Sequence, residues 1–188
     1  RHGYRGPEQK LPPRQTDPEQ AWLDALAGSQ IIADLLPAVV TEVGADRVAI
    51  LFADGTRDSV LWENGLGQAS PYLNESAVGS RPANPAEVLA VGDLIRVRHA
   101  EDGSWHLSQV PDIQAALVSL RADDGAIISV VGGLGFELSK FNRATQALRQ
   151  PGSTFKPIVY ATAVQNGRSP ATIIDDSPIS LPQVDGSL

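Results

Sequence analysis

The sequence contains no cysteine and no methionine, and only three of its 188 residues are histidines. Without cysteine the chain forms no disulfide bond and no thiolate metal site. The histidines are His2, His99 and His106, and with so few we expect neither a histidine metal site nor a Ser-His-Asp triad. We therefore predict no metal and no other cofactor.

Long apolar segments are also missing, although apolar residues make up 42% of the chain, enough to form a core. The longest runs, such as RVAILFA at 47–53 and AIISVV at 126–131, have the length of strands. None approaches the roughly 20 residues that cross a bilayer, and residues 1–10 show no signal-peptide pattern. Because methionine is absent as well, we expect a soluble piece of a longer chain whose membrane anchor lies outside this sequence.

Basic residues are in deficit, since 15 lysines and arginines face 22 aspartates and glutamates, giving a formal net charge of −7. Surfaces that bind nucleic acid neutralise phosphates with clustered basic side chains. The arginines of residues 38–110 are instead offset by carboxylates close to them in the sequence. We therefore expect no nucleic-acid partner.

The first forty residues predict a linker followed by helical segments. Residues 1–15 combine glycine, proline and charged residues and are typical of a linker or loop. Residues 16–19, TDPE, form a capping box, in which the threonine hydroxyl and the glutamate carboxylate satisfy free amides at a helix start. Gly28 is suited to end that helix. A second short turn or helix over 31–36 is expected to end before Pro37.

Residues 38–110 have the pattern of short β-strands separated by turn residues. The Asp54-Gly55 pair is a strong hairpin signal, and NPAEVL at 84–89 predicts a short capped helix. The strand-like runs are residues 38–43, 47–53, 58–63, 93–99 and 104–110. Three strands, a short helix and two strands are the element order of the five-stranded OB barrel. We therefore predict a helix plus an OB-like β-barrel domain over residues 16–110.

Pro111 marks the predicted start of a second domain, over residues 111–188. Two apolar strands flank the DDG turn at 123–125 and predict a hairpin in a sheet covered on both faces. The GGLGF loop at 132–136 lacks the lysine of a phosphate-binding loop and is assigned to a turn that needs positive φ. A helix is predicted over 153–165, followed by an extended tail. The fold class is therefore mixed α+β.

The start of that last helix carries a pattern typical of nucleophilic catalysis. In RQPGSTFKPIVYATAV, Ser153 stands three positions before Lys156. A serine hydroxyl is a weak nucleophile and needs a base within hydrogen-bonding distance, and residues three apart on a helix share one face. Apolar neighbours and the positive end of the helix dipole would both favour the uncharged amine, which can accept a proton. Gly152 leaves room for a substrate to approach.

The spacing alone does not establish this chemistry. The pattern S-x-x-K arises by chance about once in a chain of this length. A structural interpretation, in which Ser153 caps the helix and Lys156 is a solvated first-turn residue, explains the spacing and is favoured by it.

Longer stretches decide between the two interpretations. The segments QAALVSLRADDGAIISVVGG, SKFNRATQALRQPGSTFKPIVYATAV and ATIIDD resemble the start of the transpeptidase domain of class A penicillin-binding proteins. The segments LLPAVVTEV, LFADGT and VGDLIRVR resemble the OB-type domain inserted in the 1A type from Gram-negative bacteria. The chain thus resembles an OB-like barrel followed by the N-terminal part of a penicillin-binding, β-lactamase-like α/β transpeptidase domain.

The resemblance implies specific roles for the residues around the helix. In that family the serine of S-x-x-K attacks the D-Ala-D-Ala carbonyl of a peptidoglycan stem peptide and is acylated by β-lactams. Carried over, Ser153 is the nucleophile and Lys156 the general base. We further predict that Gly152, Asn142 and Arg143 line the substrate cleft.

Two motifs that the family needs, S-x-N and K-[ST]-G, do not occur in the sequence. The first relays the leaving-group proton, and the second supplies a donor to the oxyanion and a strand that holds the substrate. We therefore expect a parent transpeptidase with a glycosyltransferase domain upstream, and a segment that is inactive by itself.

The resemblance also implies a location and partners. The parent is expected at the periplasmic face of the inner membrane, anchored by a single segment outside this chain, where it meets stem peptides and β-lactams. Residues 38–110 are alternatively a docking module for a regulator, such as an outer-membrane lipoprotein activator, or for glycan. A rigid spacer between catalytic domains is the third hypothesis for the barrel.

Overall fold

The chain forms two units, residues 1–147 and 148–188, in a computed structural model that describes residues 3–11 and 18–177. In chain order the regular elements are β1 (Gln9–Lys10), α1 (Pro18–Ala27), β2 (Leu35–Val43), β3 (Arg47–Leu51), β4 (Arg57–Leu61), β5 (Tyr72–Asn74), β6 (Ala77–Val78), β7 (Asp93–His99), β8 (Trp105–Ser108), β9 (Leu117–Leu120), β10 (Ile127–Val131), α2 (Arg143–Gln146) and α3 (Lys156–Gln165). Within this described part of the chain, no helix is both long and apolar enough to cross a membrane.

Five strands of the first unit close into a barrel. The hydrogen-bonded order is β2-β3-β4-β8-β7, and β7 pairs back to β2. All neighbours are antiparallel except β4 and β8, which meet in parallel at Val60 and Trp105. Closure leaves these strands without a free edge along most of their length, which is the OB arrangement. The predicted five-stranded OB-like barrel is confirmed, and Pro85–Glu87, between its third and fourth strands, is a 3₁₀ helix.

Both faces of the central strands are buried, which explains their unbroken apolar runs. On β3, Ile50 points into the barrel interior and the next residue, Leu51, packs beneath α1. Trp22 and Leu26 stand four residues apart on α1 and share its buried face. Leu51 and Leu26 are 0% and 1% exposed. The helix therefore seals one outer face of the barrel, while alternate side chains fill the interior.

Residues 3–11 are attached to the barrel, so the predicted linker over 1–15 is wrong for its described part. Strand β1 extends the sheet by pairing with the start of β7. The Tyr4 amide donates to Ser70 O at 2.8 Å, and the Tyr72 amide donates to Tyr4 O at 2.9 Å. Burial, with smaller contributions from two nearby carboxylates, raises the pKa of the Tyr4 hydroxyl above its usual range. The first two residues of the predicted capping box, at 16–17, lie outside the described residues.

Of the short turn or helix predicted over 31–36, the structure has the turn; the expected boundary before Pro37 is wrong, because β2 begins at Leu35 and contains Pro37. A tight turn joins Ile32 to Leu35, whose backbones exchange hydrogen bonds of 3.2 and 2.9 Å. Strand β2 pairs with β3 only from Val39 onward, and before that point only with β7. A proline is tolerated in a strand on a side where no neighbouring strand needs a backbone donor, because proline has no N–H.

The hairpin of β9 and β10 forms as predicted, but its two faces are exposed. Neighbouring residues of a strand point to opposite faces, and Ile127 and Ile128 are 66% and 63% exposed. The prediction of a sheet covered on both faces therefore does not hold within the described residues.

The glycine loop after this hairpin is explained by close approach instead of positive φ. Positive φ occurs at other glycines of the described chain, and the three glycines at 132, 133 and 135 are not among them. A Cβ at Gly132 would overlap the Asn142 side-chain oxygen. The prediction of a positive-φ turn at 132–136 is wrong, because the loop needs glycine to pack against the residues that begin α2.

Gly92 provides a sharp test of how the N-terminal segment is held. Its φ is +89°, and a Cβ there would overlap the carbonyl oxygen of Leu11, whose amide donates to Gly92 O at 2.8 Å. We expect Gly92→Ala to lower the free energy of unfolding by about 3 kcal/mol, combining backbone strain with displacement of that segment.

Gly103 is the matched control for this substitution. It has φ +85°, but a Cβ there would meet open space, so Gly103→Ala should cost only about 1 kcal/mol. Urea unfolding of the 188-residue chain measures both. Equal losses would contradict the attachment of residues 3–11 to the barrel.

Candidate active site

Ser153 lies in a 3₁₀ turn that leads into α3, and Lys156 is the first residue of that helix. The turn covers Gly152–Phe155, and its closing bond is donated by the Lys156 amide to the Ser153 carbonyl oxygen. In a 3₁₀ helix, side chains three residues apart are eclipsed, so they leave the backbone on the same side. The sequence predicted a helix from residue 153, and the structure replaces its first turn by this tighter one.

Pro157 explains the tighter turn. In an α-helix the Ser153 carbonyl would accept from the amide of residue 157, and proline has no amide hydrogen to give. The Lys156 amide supplies that bond one residue earlier. The proline at the start of α3 therefore favours a 3₁₀ turn at the residues predicted to react.

Gly152 precedes the serine with φ +52°, in the left-handed region that favours glycine. A Cβ at this position would meet nothing within 4 Å in the structure. The requirement for glycine therefore comes from the backbone conformation. The prediction that its small size admits a substrate stays a prediction.

The surroundings of the pair are more open than the sequence predicted. Ser153 and Lys156 are both exposed. The apolar neighbours Phe155 and Ile158 are 51% and 57% exposed. The described part of the second unit therefore gives the lysine amine no apolar enclosure, and the role of Lys156 as the base stays a prediction.

Asn142 and Arg143 belong to the first unit, where both have structural contacts. The side-chain oxygen of Asn142 accepts from the Ala144 backbone amide at 3.0 Å. The backbone amide of Asn142 donates to Gln146 Oε1 at 2.8 Å, so Asn142 and Gln146 together cap the start of α2. The Arg143 amide donates to Gly132 O at 3.0 Å. Their assignment to the substrate cleft stays a prediction.

Comparison with protein families divides the chain in two. The penicillin-binding protein OB-like domain matches residues 4–113, and the penicillin binding protein transpeptidase domain matches residues 115–185. The first match contains the barrel with its N-terminal strand, and the second contains the β9–β10 hairpin, Ser153 and α3.

Whole-chain comparisons agree with these matches. The chain is 45% identical over 179 residues to penicillin-binding protein 1A of Pseudomonas aeruginosa and 40% identical over 185 residues to that of Escherichia coli. These alignments cover 95% and 96% of this chain, which spans about a fifth of the length of either relative, 21% in both cases. A 2.6 Å crystal structure of penicillin-binding protein 1A from Haemophilus influenzae covers 97% of the chain with a TM-score of 0.75 and 33% identity, using 25% of that chain. The chain therefore belongs to the class A penicillin-binding proteins of the 1A type, and it contains their OB-like domain and the start of a transpeptidase domain.

Proposed function

We propose that the full-length protein containing this sequence is a peptidoglycan D,D-transpeptidase in which Ser153 forms the acyl-enzyme. The observation that carries the proposal is that Ser153, in the 3₁₀ turn, and Lys156, whose amide closes that turn, lie three residues apart inside the segment that matches the transpeptidase domain. Side chains at this spacing leave the backbone on the same side, and we infer that the amine takes the hydroxyl proton in the complete site.

The proposed reaction has two acyl transfers. The Ser153 oxygen bonds to the carbonyl carbon between the two D-alanines, its proton passes to the Lys156 amine, and the C–N bond breaks as the terminal D-Ala leaves with a proton. The Thr154 amide already donates to Pro151 O at 3.0 Å, so the backbone amide of Ser153 itself is the one suited to donate to the oxyanion that forms. The amine of a second stem peptide then attacks the ester carbonyl and releases the serine hydroxyl. With a β-lactam, the reaction would stop at the ester formed with Ser153.

We infer that the 188-residue chain does not catalyse this reaction by itself. The sequence has neither S-x-N nor K-[ST]-G, so the groups that would hold the substrate strand and relay the proton are missing. The exposure of Ile158 and Val159 on α3, at 57% and 51%, supports packing of this helix against further parts of the domain. In the full-length protein that packing would also enclose the lysine amine.

Labelling with a fluorescent penicillin tests both statements. We expect stoichiometric covalent labelling of the full-length protein and none of the 188-residue chain at the same concentration, because only the former has the complete site. Full-length protein that resists labelling would overturn the transpeptidase proposal. Labelling of the short chain would overturn the inference that it is inactive.

We place the protein at the periplasmic face of the inner membrane, where peptidoglycan stem peptides are the substrate. In that position the barrel would be within reach of an outer-membrane lipoprotein acting as an activator. Protease accessibility of the barrel in spheroplasts tests the orientation: cleavage from outside is expected, and protection until lysis would contradict it.

A further inference from the structure

An apolar groove of about 490 Å³ lies on the first unit, between the end of α1, the start of β2 and the β3–β4 hairpin. Leu36, Pro37 and Phe52 line it together with Ile31 and Trp105. Ile31 is 54% exposed, although it is a large apolar side chain. The groove has the size and apolar lining of ligand sites.

The backbone beside the groove offers few hydrogen bonds to an occupant. Leu35 exchanges both of its backbone hydrogen bonds with Ile32, and β3 pairs with β2 from Val39 onward. Pro37, between these two residues, has no N–H, so this side of β2 can accept a hydrogen bond but cannot pair with a full strand. The choice of occupant therefore rests on the apolar lining and on the charge of the rim.

The rim of the groove is negatively charged. Asp54 accepts from the Thr56 amide at 2.9 Å and from its hydroxyl at 2.6 Å, and these bonds lower the pKa of the carboxyl, which keeps it ionised. Asp58 accepts from the Trp105 indole N–H at 2.9 Å, which fixes the ring at the edge of the groove.

The one basic residue that lines the groove does not cancel this charge. Arg57 lies between the two rim aspartates in sequence, and its guanidinium pairs with Glu19 at 2.6 Å. Residues 18–110 contain 13 acidic and five basic residues, a formal net charge of −8. The field of the whole domain therefore attracts cations toward the groove.

We propose that this groove binds an extended peptide that presents an apolar side chain next to lysine or arginine. The apolar side chain would lie against Ile31 and Phe52, and the cationic side chain would meet Asp54 and Asp58. The contact is non-covalent and independent of Ser153, so its failure would leave the transpeptidase proposal intact.

Titration of the 188-residue chain by NMR tests the proposal, with the Trp105 indole N–H as the reporter. The probes are acetyl-Lys-Leu-Lys-Leu-Lys-amide, the matched acetyl-Glu-Leu-Glu-Leu-Glu-amide, and chitotetraose. We expect a saturable shift with the first peptide alone, weakening about threefold or more between 20 and 200 mM salt as the charges are screened. A saturable shift with chitotetraose and not with the basic peptide would assign the groove to glycan. No saturable shift with the basic peptide, or an equal one with the acidic peptide, would overturn the proposal.

Two variants and a control locate the contact. Ile31→Lys adds a like charge to an exposed position and should weaken binding of the basic peptide at least tenfold. Asp54→Asn keeps the side-chain oxygen that accepts from Thr56, and it should weaken binding of the basic peptide about threefold. Asp46→Asn makes the same charge change at the other end of β3, where Asp46 pairs with Arg47. It should leave binding of the basic peptide unchanged. Equal effects of the two aspartate substitutions would contradict a local site.

Discussion

Replacing Ser153 by alanine in the full-length protein should abolish covalent labelling by penicillin, because the ester proposed to form with β-lactams needs the serine oxygen. We expect no labelled protein above background, a loss of at least about 10³-fold in acylation rate. Thr154→Ala is the matched control, since Thr154 is the next hydroxyl on the same exposed 3₁₀ turn, and it should label at nearly the normal rate.

Lys156→Arg separates the role of the base from that of positive charge. The guanidinium keeps the charge and stays protonated, so it cannot take the serine proton. Acylation by the full-length protein should slow by about 10²- to 10⁴-fold, the usual contribution of a general base. Thermal unfolding of the 188-residue chain, in which Lys156 is exposed, should stay unchanged. Labelling at the normal rate in this variant would remove Lys156 from the mechanism and leave Ser153 with another base.

The second large effect is expected on stability, at the ion pair between a buried arginine and Glu8, which is 37% exposed and ties the N-terminal segment to the barrel. Arg96 on β7 is 6% exposed, and its guanidinium donates to both carboxylate oxygens of Glu8, at 3.0 and 2.8 Å. A third donor reaches the carbonyl of Gln30, after α1. Glu8→Ala would leave the guanidinium of Arg96 with one carbonyl partner. Because Glu8 is partly exposed, water can replace some of the lost bonds, and we expect a cost of about 2 kcal/mol of unfolding free energy.

Glu19→Ala is the control for that substitution, because it breaks an ion pair of the same kind at the surface. Glu19 and Arg57 are 50% and 53% exposed, so its loss should cost less than about 1 kcal/mol. Adding Arg96→Met to Glu8→Ala should recover part of the stability, since an apolar side chain does not need the missing partner. Urea unfolding measures all three variants. Similar losses of unfolding free energy for Glu8→Ala and Glu19→Ala would show that burial of Arg96 does not determine the contribution of its ion pair to stability.

The strands of the barrel could be predicted because their signals are local. Apolar alternation and turn residues such as Asp54-Gly55 mark each strand, and the order of elements identified the OB topology. Two predictions at the start of the domain, the boundary before Pro37 and the N-terminal linker, were wrong because both depend on pairing between distant parts of the chain. Pro37 suits β2 because β3 begins to pair only at Val39, and residues 3–11 are ordered by contacts with residues about 80 positions later, such as that of Glu8 with Arg96.

The pair proposed to react was predicted from resemblance, and the 3₁₀ turn before the helix was not. The sequence placed Ser153 and Lys156 on one α-helical face, whereas in the structure a 3₁₀ turn contains Ser153 and is closed by the Lys156 amide, because Pro157 cannot donate to the serine carbonyl. That consequence could have been derived from the proline alone. No local pattern in the sequence marks the groove beside Ile31, because its walls come from four separate segments that only the folded chain brings together.

Mapping the adduct by mass spectrometry tests the central claim most directly. The full-length protein is incubated with penicillin and digested, and the peptide spanning residues 149–164 is sequenced by fragmentation. We predict that the whole penicilloyl mass lies on Ser153 and that Thr154 is unmodified. An adduct on any other residue, with residue 153 unmodified, would contradict the assignment of the nucleophile.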